Sequence, residues 1–308
     1  MGGHQRVMAV VGAGVIGMSW ARLARRHGWR VGITDTRVDL DAIVAEAFGE
    51  GDPYVFSSCN AADVLKDADL VQENGPECLR VKQELFSLFL DAAPADAVLA
   101  TSSSSIGANA ITAGVDDGER IIVGHPSNPP ELIPLVEVVP GMLTGESTVH
   151  AAVSLYEELG RSPIVIRKEI PGLIVNRLRA ALTREAQYLV EQGVVGVADL
   201  DTALQNSLGL EWAAAGLFES NAWSGGKGVR DSYGSVVKAV GTTEFGAPSS
   251  DPESVDRLAS EIEAAYGVDQ ENHQERLGRR DRRTLAILDA LYTVNTLDRL
   301  YDLEINNP

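Results

Sequence analysis

Short apolar runs alternate with longer amphipathic segments over the first half of the chain. Seven of these runs are rich in β-branched residues and are predicted to be strands: Val7–Val11, Val31–Thr34, Leu70–Gln72, Val98–Ala100, Ile121–Val123, Leu135–Val139 and Ile164–Ile166. Strands that alternate with helix-length segments are typical of a parallel sheet covered by helices on both faces. The pattern therefore predicts an α/β fold with a doubly wound parallel sheet.

The character of the sequence changes near Glu169–Gly172. Beyond this point, Leu173–Glu191 and Arg279–Leu303 have the apolar spacing of long helices. We therefore predict two domains, residues 1–169 with the sheet and residues 170–308 as an all-helical domain. Leucines of the last helix fit either the core of the monomer or a homodimer formed through the helical domain: Leu285, Leu288, Leu291, Leu297 and Leu300.

The composition narrows the classes of partner. The chain has 308 residues, 44% hydrophobic and 23% charged, which is typical of a globular protein of about two domains. A net charge of −18 disfavours nucleic acid and anionic membranes as partners. Cys59 and Cys78 form neither a disulfide framework nor a metal-ligand pattern, so we expect no metal and a reducing, cytoplasmic location. No signal or membrane-spanning segment is expected.

A glycine-rich turn joins the first predicted strand to the first predicted helix. It consists of Gly12, Ala13, Gly14, Val15, Ile16 and Gly17, which is the spacing of a dinucleotide-binding turn. Gly12 permits the tight turn, Gly14 lets the backbone approach a pyrophosphate, and Gly17 lets the helix pack closely. Free N–H groups at the start of the helix would hold the anion.

Asp35 ends the second predicted strand, 18 residues after Gly17. A carboxylate there accepts hydrogen bonds from the adenosine ribose and repels a 2′-phosphate, which favours NAD over NADP. Arg37 would offer a counter-ion to such a phosphate, so NADP remains the alternative. Asp35 can also cap the helix that begins near Val38.

A histidine and a glutamate lie on neighbouring predicted strands. His125 follows Ile121–Val123, at the carboxyl ends of the strands, where ligands bind in this fold class. Glu137 lies within the apolar run Leu135–Val139, where an ionised carboxylate is unfavourable unless it is paired. A glutamate that holds an imidazole fixes its tautomer, as a general base for alcohol oxidation requires. For His125 alone, a satisfied core histidine is the alternative.

Several motifs together resemble the L-3-hydroxyacyl-CoA dehydrogenase family. They are GAGVIG at 12–17, QENGPE at 72–77, TSSSSI at 101–106, GHPSNPPELIPLVEVV at 124–139, IPGLIVNRL at 170–178 and GLEWAAAGLFE at 209–219. The segment 125–137 is most similar to the small-substrate branch that includes L-gulonate 3-dehydrogenase, also called λ-crystallin. The resemblance implies a Rossmann-type NAD-binding domain, a helical second domain, and hydride transfer between NAD and a hydroxy substrate.

The resemblance also implies roles for individual residues. Four positions match the catalytic residues of the family: His125, Glu137, Ser104 and Asn176. Ser104 would contact the substrate oxygen or the nicotinamide edge, and Asn176 would hold that oxygen. A turn serine and a helix cap are the alternatives for these two residues. Cofactor contacts carry over to Glu77 and Lys82, which a solvated helix face explains equally well.

Two departures from the family pattern bear on the substrate. Acyl-CoA members insert a long helical arm that contacts CoA, whereas only Thr36–Leu70 intervene here, so we expect a small free hydroxy compound. Small-substrate relatives usually carry an arginine where this chain has Glu211, which removes one partner of a substrate carboxylate. Candidate substrate-binding residues are Asn128, Arg177, Glu211, Trp212 and Lys227.

We therefore predict NAD-dependent oxidation of a small free 3-hydroxy acid similar to L-gulonate, with His125 and Glu137 as the general-base pair. A cationic or cyclic alcohol, carnitine-like or heteroaromatic, is the alternative that Glu211 and Trp212 favour. A non-catalytic protein, crystallin-like and structural or nucleotide-binding, is the third hypothesis.

Overall fold

The computed structural model describes residues 5–115, 117–223, 230, 234, 238, 240–242, 244–266 and 273–305. Contacts within the chain divide it into two compact units, Met1–Asn176 and Arg177–Pro308. This division falls after the boundary predicted near Glu169–Gly172, which remains a prediction.

One eight-stranded sheet forms the centre of the first unit. Its strands are β1 Val7–Val11, β2 Arg30–Thr34, β3 Val55–Ser57, β4 Leu70–Glu73, β5 Val98–Thr101, β6 Ile121–Pro126, β7 Leu135–Pro140 and β8 Ser162–Val165. They lie in the order β3-β2-β1-β4-β5-β6-β7-β8, and all neighbours are parallel except β6 and β7. The predicted α/β architecture with a doubly wound sheet is confirmed.

Helices cover both faces of this sheet. They are α1 Val15–Arg26, α2 Leu40–Phe48, α3 Ala61–Leu65, α4 Leu79–Ala92, α5 Ala108–Thr112 and α6 Glu146–Glu158. In β1, Met8 packs in the same core as Trp20 of α1, while its neighbour Ala9 packs on the opposite face with Phe86 of α4. Because both faces are covered, the strands are continuously apolar rather than alternating.

All regular secondary structure in the described part of the second unit is helical. Its helices are α7 Val175–Glu191, α8 Val197–Asn206, α9 Leu208–Ala214, α10 Leu217–Trp223, α11 Pro252–Tyr266 and α12 His273–Ile305. Among its described apolar side chains only Val190 and Ala215 are buried, while many others are exposed. None of the helices in the described part of the chain has the length and apolarity needed to cross a membrane.

The structure differs from the sequence prediction at three places. The hydrophobic pattern does not predict β3, which has only three residues and lies at the edge of the sheet. β8 begins before the predicted Ile164–Ile166, because a largely exposed edge strand has little apolar pattern to mark its start. α7 begins at Val175 rather than at Leu173, because Gly172 and Leu173 have φ angles of 80° and 52° that no α-helix contains.

Candidate active site

The glycine-rich turn between β1 and α1 leaves open space at the start of α1. Gly12 has a φ of 97°, and a Cβ atom there would lie 2.8 Å from the carbonyl oxygen of Asn74. A Cβ atom at Gly17 would lie 1.9 Å from the carbonyl oxygen of Gly12, whereas at Gly14 it would meet nothing within 4 Å. Two glycines therefore permit close packing of the backbone, and the third faces space that a pyrophosphate can fill.

Asp35 and Arg37 hold the same turn from the end of β2. Asp35 Oδ2 accepts a hydrogen bond from the Ala13 N–H at 2.6 Å, and its Oδ1 accepts one from the Arg37 N–H at 3.0 Å. The Arg37 guanidinium donates to the Ala13 carbonyl at 2.6 Å. Both side chains line a cleft of about 690 Å³ together with Gly12 and Gly14. The open turn, the helix start and the acidic strand end fit NAD.

A buried ion pair lies beside this cleft, at the end of β4. Lys82 is 1% exposed, and its Nζ lies 3.0 Å and 2.8 Å from the two carboxylate oxygens of Glu73, which is fully buried. Glu73 also accepts hydrogen bonds from the Thr101 hydroxyl and the Gly75 N–H, each at 2.6 Å. Lys82 therefore does not lie on a solvated helix face, and its charge balances that of Glu73.

Glu77 extends this cluster towards solvent. Its carboxylate lies 3.5 Å from Lys82 Nζ and accepts hydrogen bonds from the hydroxyls of Ser103 at 2.7 Å and Ser105 at 3.0 Å. Partial burial acts to raise the pKa of Glu77, but the two hydroxyls and the charge of Lys82 outweigh it, so the pKa is lowered. Glu77 is therefore ionised at neutral pH, and it ties the serine-rich loop after β5 to the segment before α4.

The antiparallel pair β6 and β7 places His125 directly opposite Glu137. The distance between His125 Nδ1 and Glu137 Oε2 is 2.8 Å, and Glu137 is 1% exposed. Glu137 Oε1 accepts hydrogen bonds from the backbone N–H groups of Ile174 at 2.8 Å and Val175 at 3.2 Å. Since a carboxylate only accepts, we assign the proton of the imidazole to Nδ1, which leaves the lone pair of Nε2 available.

Ser104 and Asn176 lie on segments adjacent to this pair. Ser104 is half-buried and lines a cavity of about 210 Å³ whose wall includes Val123 and Val139. The two valines are paired across β6 and β7. Val123 lies two residues before His125 and Val139 two residues after Glu137, so all four side chains share one face of the sheet. Asn176 is half-buried in the first turn of α7, next to the Val175 N–H that contacts Glu137.

The predicted substrate-binding residues lie on separate segments of the chain. Asn128 is exposed in the loop after β6, and Arg177 is exposed in α7. Glu211 and Trp212 lie on α9 of the second unit, both exposed. Lys227 lies outside the described residues. Across the described parts of both units, no group of three or more His, Cys, Asp or Glu side chains could hold a metal ion.

Sequence reasoning missed a polar network beneath the site. The Gln72 amide donates to the Ser102 hydroxyl at 2.8 Å and to the carbonyl of Gly124, the residue before His125, at 3.1 Å. The Tyr156 hydroxyl donates to Gln72 Oε1 at 2.7 Å, and complete burial raises the pKa of Tyr156, so it remains a neutral donor. A polar residue inside an apolar strand was a usable signal for both Gln72 and Glu73.

Two family models match this chain. Residues 54–170 match the NAD-binding domain of 3-hydroxyacyl-CoA dehydrogenase, and residues 172–258 match the C-terminal domain of the same enzyme. The matches thus include the segments with His125, Glu137 and Asn176.

Individual relatives extend the similarity over most of the chain. A 3-hydroxyacyl-CoA dehydrogenase of Gibberella moniliformis is 39% identical over 237 residues, which are 72% of this chain and 74% of the relative. An L-carnitine dehydrogenase of a Pseudomonas species is 33% identical over 308 residues, 94% of this chain and 95% of the relative. The crystal structure of 5-formyl-3-hydroxy-2-methylpyridine 4-carboxylic acid 5-dehydrogenase, an NAD⁺-dependent dismutase, has a TM-score of 0.80 at 26% identity. It covers 94% of this chain and 99% of that chain.

Proposed function

Because the chain belongs to the 3-hydroxyacyl-CoA dehydrogenase family and is an NAD-dependent oxidoreductase, we propose that it oxidises the hydroxyl of a small, free 3-hydroxy acid. The observation that carries this proposal is the hydrogen bond between His125 and the buried Glu137 at 2.8 Å. It supplies a general base near the carboxyl end of β6, the strand next to β5, which the serine-rich loop follows.

His125 acts as the base through Nε2. Its Nδ1–H donates to Glu137, so Nε2 is free to accept the proton of the substrate hydroxyl. The hydride leaves the carbon that bears this hydroxyl. Bound NAD⁺ supplies the hydride acceptor. The imidazolium that forms is stabilised by the Glu137 carboxylate, whose other oxygen is held by two backbone N–H groups. Ser104 and Asn176 hold the substrate oxygen as the carbonyl develops.

The segment between β2 and β4 supports a substrate without CoA. It contains only α2, β3 and α3, and α2, its longest helix, has nine residues. A long helical arm for CoA contact is therefore absent from this segment, all of which the structure describes. The net charge of −18 also disfavours the highly anionic CoA ester.

Two free substrates of different charge are candidates. A polyhydroxy acid such as L-gulonate fits the motif around His125 and Glu137. A 3-hydroxy acid that also carries a quaternary ammonium group, such as L-carnitine, is favoured by the L-carnitine dehydrogenase relative at 33% identity over nearly the whole chain, and by Glu211 in place of an arginine. The crystal structure of the 5-formyl-3-hydroxy-2-methylpyridine 4-carboxylic acid 5-dehydrogenase adds a heteroaromatic compound as a third candidate substrate class.

A substrate panel tests the proposal directly. The purified protein is incubated with NAD⁺ and L-gulonate, L-carnitine, 3-hydroxybutyrate, 3-hydroxybutyryl-CoA or a pyridine alcohol, and NADH absorbance is followed. We expect turnover of at least one free acid and its loss in His125→Asn. Turnover of the CoA ester alone would refute the free-acid proposal, and full activity of His125→Asn would remove the histidine from the mechanism.

Glu211→Arg distinguishes the two substrate charges. If L-carnitine is the substrate, this variant should lower its kcat/KM and leave NAD⁺ affinity unchanged, because Asp35 and the glycine-rich turn lie elsewhere in the sequence. The opposite change, improved use of L-gulonate without loss of L-carnitine turnover, would contradict a contact with the ammonium group. NAD⁺ binding without NADH formation from any substrate would favour the structural or nucleotide-binding hypothesis.

We also propose a homodimer formed through the helical unit. Leu178, Leu210 and Phe218 are 62%, 62% and 69% exposed, whereas a helical domain normally buries such side chains. Leu285 of α12 is 49% exposed, and the side chains of Leu297 and Leu300 lie outside the described residues. Light scattering after gel filtration should give twice the 32.8 kDa of the chain, and a monomer mass would contradict the dimer.

A further inference from the structure

The linker between β8 and α7 has an unusual backbone. The Leu173 N–H donates to the Ile170 carbonyl at 3.1 Å, which closes a turn with Pro171 and Gly172 at its centre. Gly172 has a φ of 80°, as the third position of such a turn requires. Leu173 follows with a φ of 52°, in the left-handed region that a side chain with a Cβ atom rarely adopts. A leucine stays there only when its surroundings hold it.

The end of this linker contacts Glu137, the partner of the proposed general base His125. Leu173 is 5% exposed and packs in the core that contains Val123 and Val139. The next two N–H groups, of Ile174 and Val175, are those that Glu137 Oε1 accepts. The left-handed turn therefore aims these two donors at Glu137, whose other oxygen contacts His125.

The start of the linker is fixed by Glu169. Its Oε1 accepts a hydrogen bond from the Asn109 backbone N–H at 3.0 Å, and its Oε2 accepts one from the Asn109 side-chain amide at 2.6 Å. Asn109 Oδ1 in turn accepts from the Met142 N–H at 2.6 Å. A Cβ atom at Gly107 would lie 2.3 Å from Glu169 Oε1, so a glycine is needed for this approach. The Asn109 donors and the space left by Gly107 thus both accommodate the Glu169 carboxylate.

Glu169 thus joins two segments that carry site residues. Ser103–Gly107, which includes Ser104, ends two residues before Asn109, and Ile170–Leu173 leads to the donors for Glu137. Both segments line the cavity of about 210 Å³ that Ser104 faces. Glu169 thus fixes the start of the linker, while the packing of Leu173 and the two hydrogen bonds to Glu137 fix its end.

We propose that Glu169 is a positioning residue for the His125–Glu137 pair: by its two hydrogen bonds to Asn109 it holds the left-handed turn that directs the Ile174 and Val175 N–H groups at Glu137. The proposal rests on the proposed function in taking His125 as the base. Glu169 itself contacts neither His125 nor Glu137, so its effect travels through the linker backbone.

Two variants test the contact by exchanging its partners. Glu169→Gln places an amide against one of the two Asn109 donors, and one hydrogen bond is lost. Adding Asn109→Asp turns that donor into an acceptor, so the pair regains two hydrogen bonds with the side-chain donor and acceptor exchanged. Asn109→Ala removes the side-chain donor, keeps Glu169 and the backbone N–H of residue 109, and serves if the first variant fails to fold. Glu157→Gln, on the exposed face of α6, is the matched control.

The first measurement needs no substrate. In ¹⁵N-histidine-labelled protein, the Nδ1–H signal of His125 is identified by its loss in His125→Asn. We expect Glu169→Gln and Asn109→Ala to broaden this signal and speed its exchange with solvent, because Glu137 is less well held. The double variant should restore it, and Glu157→Gln should leave it unchanged. An unaltered signal in folded Glu169→Gln, judged by NAD⁺ binding and thermal unfolding, overturns the proposal.

Turnover gives a second, separate readout. With the best substrate of the panel, Glu169→Gln should lower kcat roughly 10- to 100-fold. With a substrate deuterated at the reacting carbon, Glu169→Gln should show a larger isotope effect on kcat than the wild type, because its chemical step is slower. NAD⁺ affinity should not change, since Glu169 does not line the cofactor cleft. An unchanged isotope effect with a reduced kcat would indicate loss of folded enzyme and refute positioning. If the wild type oxidises nothing, the proposed function fails, while the NMR result still decides the role of Glu169.

Discussion

Replacing Glu137 by glutamine tests the contact between His125 and Glu137 with the smallest change of side-chain shape. Glutamine has nearly the same volume, and its carbonyl oxygen can still accept from the Ile174 and Val175 N–H groups. Its NH₂ group then faces His125 Nδ1 across the 2.8 Å contact. Two donors cannot share that contact, so Nδ1 must give up its proton and accept. The proton moves to Nε2, which can then no longer act as the base.

The expected fall in kcat follows from the loss of general-base catalysis. General-base catalysis contributes about 10²- to 10⁴-fold to rate, and a carboxylate-to-amide change in a Ser-His-Asp triad lowers kcat by about 10⁴ through the wrong tautomer. We therefore expect kcat to fall about 10²- to 10⁴-fold, or about 2.7–5.5 kcal/mol of barrier. Stability should change much less, by about 1–2 kcal/mol, because the two backbone donors remain satisfied.

The assay is NADH formation with the best substrate of the panel, with NAD⁺ affinity and the urea midpoint measured on the same sample. Glu119→Gln, an exposed exchange of the same kind before β6, should behave as the wild type. A Glu137→Gln enzyme with wild-type kcat would refute the tautomer argument. A large loss of stability with normal turnover per folded molecule would show that the carboxylate serves the fold rather than the chemistry.

Two further outcomes are expected from groups outside the pair. Lys82→Met leaves the fully buried Glu73 without its cation and should lower the free energy of unfolding by about 3–5 kcal/mol, with most of it regained in Glu73→Gln/Lys82→Met. Urea unfolding checks this, and an equal loss in the double variant would contradict it. Partial burial and the charges of Arg161 and Arg26 lower the pKa of His27 below its ordinary 6.5. As pH falls below 6.5, the unfolded chain takes up this proton first, so stability should fall until the pH passes the folded pKa. His27→Gln should flatten that slope, and an unchanged slope would count against the assignment.

Much of the first unit follows from local sequence signals. The apolar runs predict seven of the eight strands, since a strand covered on both faces is marked by its whole length rather than by alternation. The glycine-rich turn predicts the tight turn at Gly12, which has a φ of 97°, and the close packing at Gly17, because only the spacing of a few residues is involved. The prediction that Glu137 needs a partner is also local, since a charge in an apolar strand implies one.

Contacts between distant segments were not predictable in this way. Glu169 and Asn109 are separated by 60 residues, and neither has a neighbour in sequence that points to the other. The left-handed Leu173 has no sequence signal, because leucine is among the residues least expected in that conformation. For Lys82 the sequence left a cofactor contact and a solvated helix face as equal alternatives, and neither predicts its buried ion pair with Glu73 at the end of β4. The residues that support a site are thus harder to find than those that perform its chemistry.

The reversal between β6 and β7 has a consequence for how this enzyme can diverge. His125 and Glu137 meet because their strands are in register, not because the loop between them has a given length. Insertions or deletions within 127–134 can therefore alter the rim of the site while the two side chains stay opposite each other. A slip of one residue in the ladder would instead turn one of them to the far side of the sheet. Under the proposed mechanism, substrate specificity can therefore change through this loop while the proton-transfer pair is kept.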